Sequence, residues 1–415
     1  MRILLAAYGT RGDVQPMVAI GRRLRADGHE VVLGAAPGFA AWVRGHGLEF
    51  RTIGADIEAL IHGFGPDLTL RPARLTGRLL QSLREETELS FGHTLEAARD
   101  ADLIVAGIHP AAASVAEVLE VPMRTLLFCP QMIRSAHHPP PGLPWFRLPG
   151  PANRLLWWAM SRLLHGAMGT ALNRHRRRHG LVPVADMLSH LVGARPIVCS
   201  DALLGGLPPD APPGVEQIGS LALPADGALD PALERFLDRG EPPVCIGFGS
   251  MPDGDPRRTT RLLFEALERC GRRGVVLSGW ARLGDEQVPP GVFVTPRAPH
   301  AALLPRVAAL VHHGGAGTTA AAARAGLPQV VVPFFVDQIY WAREVHRRGL
   351  GSRPIPRPRL TAERLADAID EALGRPAIRE QARRVQLGLA HADGVAALAD
   401  RLYAAVGADD RRAAA

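Results

Sequence analysis

The sequence contains no lysine, so all 48 basic side chains are arginine, and they leave a net charge of +7. The arginines are scattered, whereas a nucleic-acid binder concentrates its cations on one face, so no nucleic-acid partner is expected. With abundant Ala, Gly and Pro, this bias reads as the codon composition of a GC-rich genome. One local cluster, Arg174 to Arg178 with His175 and His179, falls at an expected helix end, where cations complement the dipole. Cysteine is also scarce: Cys129, Cys199, Cys245 and Cys270 show neither CxxC nor metal-ligand spacing. Three of them lie in apolar strand-like runs, which favours buried, reduced thiols. No apolar run approaches the ~18 residues of a spanning helix, and the N-terminal one is too short for a signal peptide. A cytoplasmic location without membrane contact is therefore expected. The dinucleotide fingerprint GxGxxG is missing too, because GFGSMP carries Pro252 where the third glycine belongs. That disfavours a nicotinamide oxidoreductase.

What is present is a chain of 415 residues with 47% hydrophobic content, enough for two domains with separate cores. Residues 2–7 form an apolar strand, 9–13 a tight loop, 14–27 a helical period of apolar residues, and 31–33 a further strand. The second half repeats the grammar with a strand at 244–247, a loop at 248–255, a helix at 257–270 and a strand at 275–277. Further alternation at 103–106, 111–119 and 123–128 extends the first half. The fold class is α/β, with two doubly wound Rossmann-like units, and open parallel sheets bind ligands beyond the carboxyl ends of their strands. Residues 1–206 and 241–393 are the expected domains. The Pro/Gly/Ala-rich stretch 207–240 is the expected linker, and 394–415 a final segment whose helix, 394–406, returns to the first domain.

Residues 311–338, VHHGGAGTTAAAARAGLPQVVVPFFVDQ, read as strand, glycine loop, alanine-rich helix, strand and loop. Glycines at a helix start leave backbone N–H groups unshielded, as a phosphate requires; a tight helix-entry turn is the plainer reading. His312 at the strand end can donate to a phosphate oxygen, while Asp337 and Gln338, ending the next strand, suit sugar hydroxyls.

These residues resemble a family. HHGGAGTT at 312–319, AGLPQVVVPFFVDQIYWA at 325–342 and Gly349 with Gly351 look like the donor motif of nucleotide-sugar-dependent glycosyltransferases acting on lipophilic acceptors. YGTRGDVQPMVAIGRRL at 8–24 matches the other hallmark, so the resemblance spans nearly the whole chain. It implies the GT-B architecture, two Rossmann-like domains facing across a cleft, and an inverting displacement. It also implies roles. Asp13 is the base that deprotonates the acceptor, or the N-cap of the following helix. Thr10 joins the donor site from the same motif. The diphosphate falls to His312, Gly315, Ala316, Gly317, Thr318 and Ser250, the last of which also suits a helix-approach turn. His313 receives no role and reads as a core histidine. Arg297 and Ala298 stand where the family stacks an aromatic on the nucleotide base, and arginine also stacks on a base. Asp337 and Gln338 would hold the sugar, and Trp341 walls that pocket or belongs to the core. Asp253-Gly254-Asp255 has the DxD form that binds a divalent ion in the other large glycosyltransferase fold. Beside a helix it reads as a turn, and a helix N-terminus with a histidine does the electrostatic work of the metal. Neither metal nor cofactor is expected, only a uridine or thymidine diphosphate sugar as donor substrate.

The acceptor should meet the irregular stretches 61–74 and 131–151, His109 at a strand end, and an amphipathic helix over 153–175 bearing Trp157 and Trp158, whose plainer role is core packing. The expected function is sugar transfer to a lipophilic secondary metabolite. Alternatives are a sterol or membrane-lipid glucosyltransferase, with the tryptophan helix on the bilayer, and a non-catalytic partner of another glycosyltransferase.

Overall fold

The computed structural model describes residues 1–56, 72–224, 227–284 and 286–413, so most of the expected acceptor stretch 61–74 lies outside the described residues. The chain opens with β1 (Arg2–Ala6), α1 (Arg11–Ala26), β2 (Glu30–Ala35), β3 (Glu49–Thr52), β4 (Leu103–Ala106), α2 (Ala112–Leu119) and β5 (Met123–Leu127). Then come α3 (Gly150–Leu164), a π-helical turn (His165–Gly169), α4 (Thr170–Arg178), β6 (Ile197–Cys199) and β7 (Glu216–Ile218). The seven strands form one parallel sheet in the order β3-β2-β1-β4-β5-β6-β7. β1 and β4 are buried on both faces, which accounts for their unbroken apolar runs. Ile3 and Leu5 pack into one layer with Val14, Met17 and Leu24 of α1; Leu4 and Ala6 face the other, with Ile104, Val115 and Leu172.

A second parallel sheet is built from β8 (Val244–Gly247), β9 (Gly274–Leu277), β10 (Val292–Thr295), β11 (Ala309–His312) and β12 (Gln329–Val331), in the order β10-β9-β8-β11-β12. Its helices include α5 (Pro256–Arg269), α6 (Ala316–Arg324) and α7 (Gln338–Arg347). In each sheet the strand order reverses beside the first strand, between β1 and β4 and between β8 and β11. Loops leaving such neighbours diverge to opposite faces and open a crevice at the carboxyl edge.

Two boundaries move. Residues 207–240 were expected as a linker, yet β7 lies within them and pairs with β6, while the helix Pro231–Leu237 packs into the second domain through Leu233 and Leu237. A three-residue strand flanked by Pro and Gly carries too little periodicity to show itself. α1 begins at Arg11, so Asp13 sits in its first turn and not in a preceding loop. The last helix, α8 (Gly394–Ala413), crosses back: Leu398, Ala399 and Leu402 enter the core beneath β1, and Tyr403 Oη donates to Asp27 Oδ2 at 2.6 Å. Among the described residues no helix is long and apolar enough to cross a membrane.

Because Leu398 is fully buried in the first domain's core, Leu398→Ala should cost about 2–5 kcal/mol in urea unfolding. A loss below about 0.5 kcal/mol, the range of surface substitutions, would show that the returning helix does not belong to that core.

Candidate active site

Asp13 is placed by a capping box. Thr10 is the N-cap of α1; its Oγ1 accepts from Gly12 N–H at 3.3 Å, and its own N–H donates to Asp13 Oδ2 at 2.8 Å. The N-cap reading of Asp13 therefore passes to Thr10, and Asp13 is the reciprocating partner three residues on. Only one carboxylate oxygen is committed, so Oδ1 remains for a substrate. Gly9 makes this fold-back feasible: it has φ +133°, and a Cβ there would lie 2.2 Å from Asp13 Oδ2. Burial pushes the Asp13 pKa up to about 6, against the lowering effect of its bonds to Thr10.

Across the crevice, Asp337 stands at the N-terminus of α7 without capping it. Its pKa is pushed up to about 7, first by burial and then by the charge of Asp13. The two carboxylates thus feel each other from opposite domains. Gln338, expected beside Asp337 on the sugar, is turned inward instead. Its Oε1 accepts from Phe334 N–H (2.8 Å) and Phe335 N–H (3.3 Å), and its Nε2 meets Met251 Sδ at 3.0 Å. It braces the loop that presents Asp337. Trp341 is buried in the cluster joining the domains, with Cys129, Leu204 and Val345.

The donor loop corrects another expectation. His312 ends β11, paired with Gly247 and Val331, and is wholly buried. Its Nε2–H donates to Gln329 Oε1 at 2.9 Å, and its Nδ1 accepts from Gly314 N–H at 3.1 Å. Burial lowers its pKa to about 3, so it is neutral with both nitrogens spent, and it has nothing left for a phosphate. His313 is the histidine that lies beside the glycine loops. Its ring sits where a Cβ on Gly315 would be 2.5 Å from Nε2, and a Cβ on Gly249 would be 3.2 Å from Cε1. Its Nδ1 has no hydrogen-bond partner, and its pKa is lowered to about 4 by burial and then by His300. Only the end of the strand separates the two histidines in role, and two adjacent identical residues give no sign of where a strand stops.

Gly315 caps α6 without a side chain, leaving the first-turn N–H groups of Ala316, Gly317 and Thr318 uncapped. A cavity opens between this end and the first turn of α1, lined by Gly12, Pro16, Phe128, Ala316, Gly317 and Trp341. Ser250 follows β8 at a half-buried turn. Arg11 of the first domain lies near Arg297 and His300 of the second. The Arg11 pKa is lowered by burial and by Arg297, and the His300 pKa by burial and by Arg11. Arg297 is exposed, while Ala298 packs with the second domain's core.

Residues 3–137 match the glycosyltransferase family 28 N-terminal domain, and residues 275–402 match the C-terminal domain of erythromycin biosynthesis protein CIII-like proteins. The chain is 36% identical to glycosyltransferase GtfE of Amycolatopsis orientalis, across 98% of both chains. The chain belongs to this glycosyltransferase family. Vancomycin aglycone glucosyltransferase from the same organism is 35% identical over 98% of both chains. Sterol 3-beta-glucosyltransferase UGT80B1 of Arabidopsis thaliana is 32% identical over 97% of this chain and 68% of its own length. Among solved structures, the calicheamicin glycosyltransferase CalG4 superposes with a TM-score of 0.70 at 20% identity, covering 98% of each chain, a likeness of fold.

In this glycosyltransferase the DGD sequence is a helix entry. Asp253 Oδ2 accepts from Arg357 Nη2 at 2.6 Å and Thr259 Oγ1 at 3.0 Å, and Asp255 caps α5 through Arg258 N–H at 3.0 Å. Of the residues expected to meet the acceptor, His109 is buried, with Nδ1 accepting from Ala111 and Ala112 N–H and its ring edge against Tyr8. Trp157 is buried and donates to His138 O at 3.0 Å, whereas Trp158 points outward. The Pro-rich loop after β5 touches the second domain, with Gly142 N–H donating to Val336 O at 3.1 Å. Val336 has φ +54°, a conformation that β-branched residues rarely hold, directly before Asp337.

The raised carboxyl pKa values fix a sign. A carboxyl that titrates near 4 when unfolded and near 6 or 7 here is favoured in its neutral form by folding. The folded state is therefore relatively most stable below pH 4 and loses that advantage as pH rises through 6 to 7. Asp13→Asn and Asp337→Asn should each raise Tm at pH 8 by on the order of 2–4 °C and leave it unchanged at pH 4. Calorimetric shifts equal at both pH values would show that neither carboxylate carries a burial cost.

Proposed function

We propose that this glycosyltransferase moves a sugar from a uridine or thymidine diphosphate sugar to a hydroxyl of a lipophilic secondary metabolite, with inversion. The observation that carries the reading is the facing pair Asp13 and Asp337 beside the uncapped N-terminus of α6. The acceptor O–H proton passes to Asp13 Oδ1 as the oxygen attacks the anomeric carbon. The bond from that carbon to the diphosphate oxygen breaks on the opposite side, which inverts the centre. The departing charge meets the N–H groups of Ala316, Gly317 and Thr318, the Ser250 and Thr318 hydroxyls, and His313 in place of His312. Asp337 accepts from sugar hydroxyls and is held in place by Gln338. Thr10 acts on this site through Asp13. Arg297 lies over the base, and the repulsion between Arg11 and Arg297 is relieved when an anionic donor enters between them.

The helix terminus and histidine supply the stabilisation that other glycosyltransferases draw from a divalent ion, so the reaction needs neither metal nor cofactor. The aglycone reading is supported by vancomycin aglycone glucosyltransferase, which is more similar to this chain and more fully covered by it than the Arabidopsis sterol relative. A sterol or membrane lipid as acceptor, in line with the Arabidopsis relative, leaves the donor side unchanged. Asp13 together with a complete donor loop argues against a non-catalytic partner, and four free cysteines, three of them buried, suit a cytoplasmic enzyme.

Asp13→Ala should lower transfer by about 10²–10⁴-fold while calorimetric binding of the free nucleoside diphosphate stays unchanged. Turnover retained by this variant removes Asp13 as base. For the donor, His313→Ala should weaken nucleoside diphosphate binding by about tenfold, the loss of one hydrogen bond to a charged group. Asp337→Ala should weaken only the intact sugar donor. Equal losses for donor and diphosphate would take Asp337 off the sugar.

A further inference from the structure

We propose that the outer face of the α3 to α4 helix is a docking surface for anionic phospholipid bilayers. Residues 121–185 contain no Asp or Glu, and they carry nine arginines and five histidines. This charge run was invisible as a patch in the overall composition because acidic residues are frequent on either side of it. Its centre is a nearly continuous helix, with α3 passing through the π turn His165–Gly169 into α4. The inner face is defined by Asn153, Trp157 and Ser161, all buried and spaced by four.

The opposite face carries what a folded protein normally hides. Leu155 and Trp158 are each 62% exposed, and Leu163 is 46% exposed. Beside them Arg154 and Arg162 are exposed, and the π turn carries the outward line through Gly166 and Thr170 to Arg177 and Arg178. The π turn adds a residue to the helical turn, which keeps these positions on one side. Arg174 and His175 are paired with Glu88, and Arg176 with Glu117. Arg154, Arg162, Arg177 and Arg178 have no carboxylate partner among the described residues.

Apolar side chains at helical spacing, with a tryptophan and cations that extend past them, form the surface that lies in a headgroup layer: the apolar groups enter the acyl boundary and the guanidinium groups meet phosphate. A second copy is a poor occupant, because a two-fold contact would set the same cationic face against itself. A nucleic acid would leave Leu155 and Leu163 in water. The inner face of the same helix holds the cleft loop, through Asn153 Nδ2 to Ala136 O (2.9 Å) and Trp157 Nε1 to His138 O (3.0 Å). That loop reaches Val336 beside Asp337. A docked enzyme therefore has its acceptor-side loop one helix diameter from the bilayer surface. The proposal concerns the free protein and stands whichever acceptor is correct.

Flotation of the full chain with phosphatidylcholine vesicles, and with vesicles containing about one-third phosphatidylglycerol, tests it. The protein should float with the anionic vesicles, remain behind with the neutral ones, and be released at about 0.5 M salt. Trp158→Glu, and separately the pair Arg154→Gln with Arg162→Gln, should lower vesicle partition by about tenfold. Their melting curves and their glycosylation of a water-soluble acceptor should be unaltered. Failure of the wild-type chain to float, equal flotation with neutral vesicles, or wild-type flotation by both variants overturns the proposal. So does an ultracentrifuge dimer that Trp158→Glu dissolves without any vesicle binding.

Discussion

Arg324 ties the two domains at the point where the chain passes between them. Its Nη2 donates to Asp201 Oδ1 (3.1 Å) and Ser220 Oγ (3.2 Å) of the first domain side, and its Nη1 donates to the carbonyls of Leu389 (3.2 Å) and Ala392 (3.0 Å) on the returning strand of chain. The two crossings touch: a Cβ on Gly394 would be 2.2 Å from Gly219 O, so only a residue without a side chain fits there. One planar guanidinium with several fixed donors can hold four acceptors on three segments at once, which a lysine's single ammonium does with far less angular definition. Arg324 also ends α6, whose other end presents the free N–H groups of the donor loop. A cation at that terminus complements the helix dipole, and the clamp sets the height of the uncapped end of α6 above the first domain.

From that constraint the chemistry follows. With the sheets held carboxyl edge to carboxyl edge, the first turn of α1 faces the start of α6 across one cavity, and the loops after β8 and β11 meet at Gly249 and His313. Asp13 and Asp337 come close enough for one charge to raise the other's pKa; Arg11 comes close enough to Arg297 for its own pKa to fall, and close enough to His300 to lower that imidazole's pKa. Like charges brought together and partly desolvated are costly. In the proposed reaction each half of this pattern has a counterpart in a diphosphate sugar and an acceptor hydroxyl. The strained Val336 belongs to the same economy, since it turns Asp337 toward the cleft while its carbonyl is held by Gly142.

Much of this was legible in the residues. Apolar runs with β-branched residues, glycine stops and helical spacing located most strands of both sheets, and the two loop motifs located both walls of the cleft. What failed did so for identifiable reasons. β7 is three residues long and flanked by Pro and Gly, too short to show a period. His312 and His313 are chemically identical neighbours, and only the β11 pairing with Gly247 and Val331 shows that the first is spent in the sheet. Gln338 looks like a sugar ligand by type, but the turn at 334–337 offers it two backbone N–H groups first. Trp157 and Trp158 are likewise neighbours with opposite fates, one holding the cleft loop and one facing solvent.

Taken alone, the amino-acid sequence determined the α/β class, the two-unit repeat, the glycine loop with its exposed N–H groups, and Asp13 and Asp337 as the carboxylates of interest. These depend on local spacing and residue type, which a linear pattern records. Only the tertiary structure decided which histidine lies beside the glycine loops, that Thr10 and not Asp13 caps α1, that α8 closes the first domain, and that an acid-free helix turns tryptophan and leucine outward. Those outcomes depend on which face of an element is covered by residues distant in the chain. Burial and hydrogen-bond satisfaction are properties of that covering, and no local period contains them.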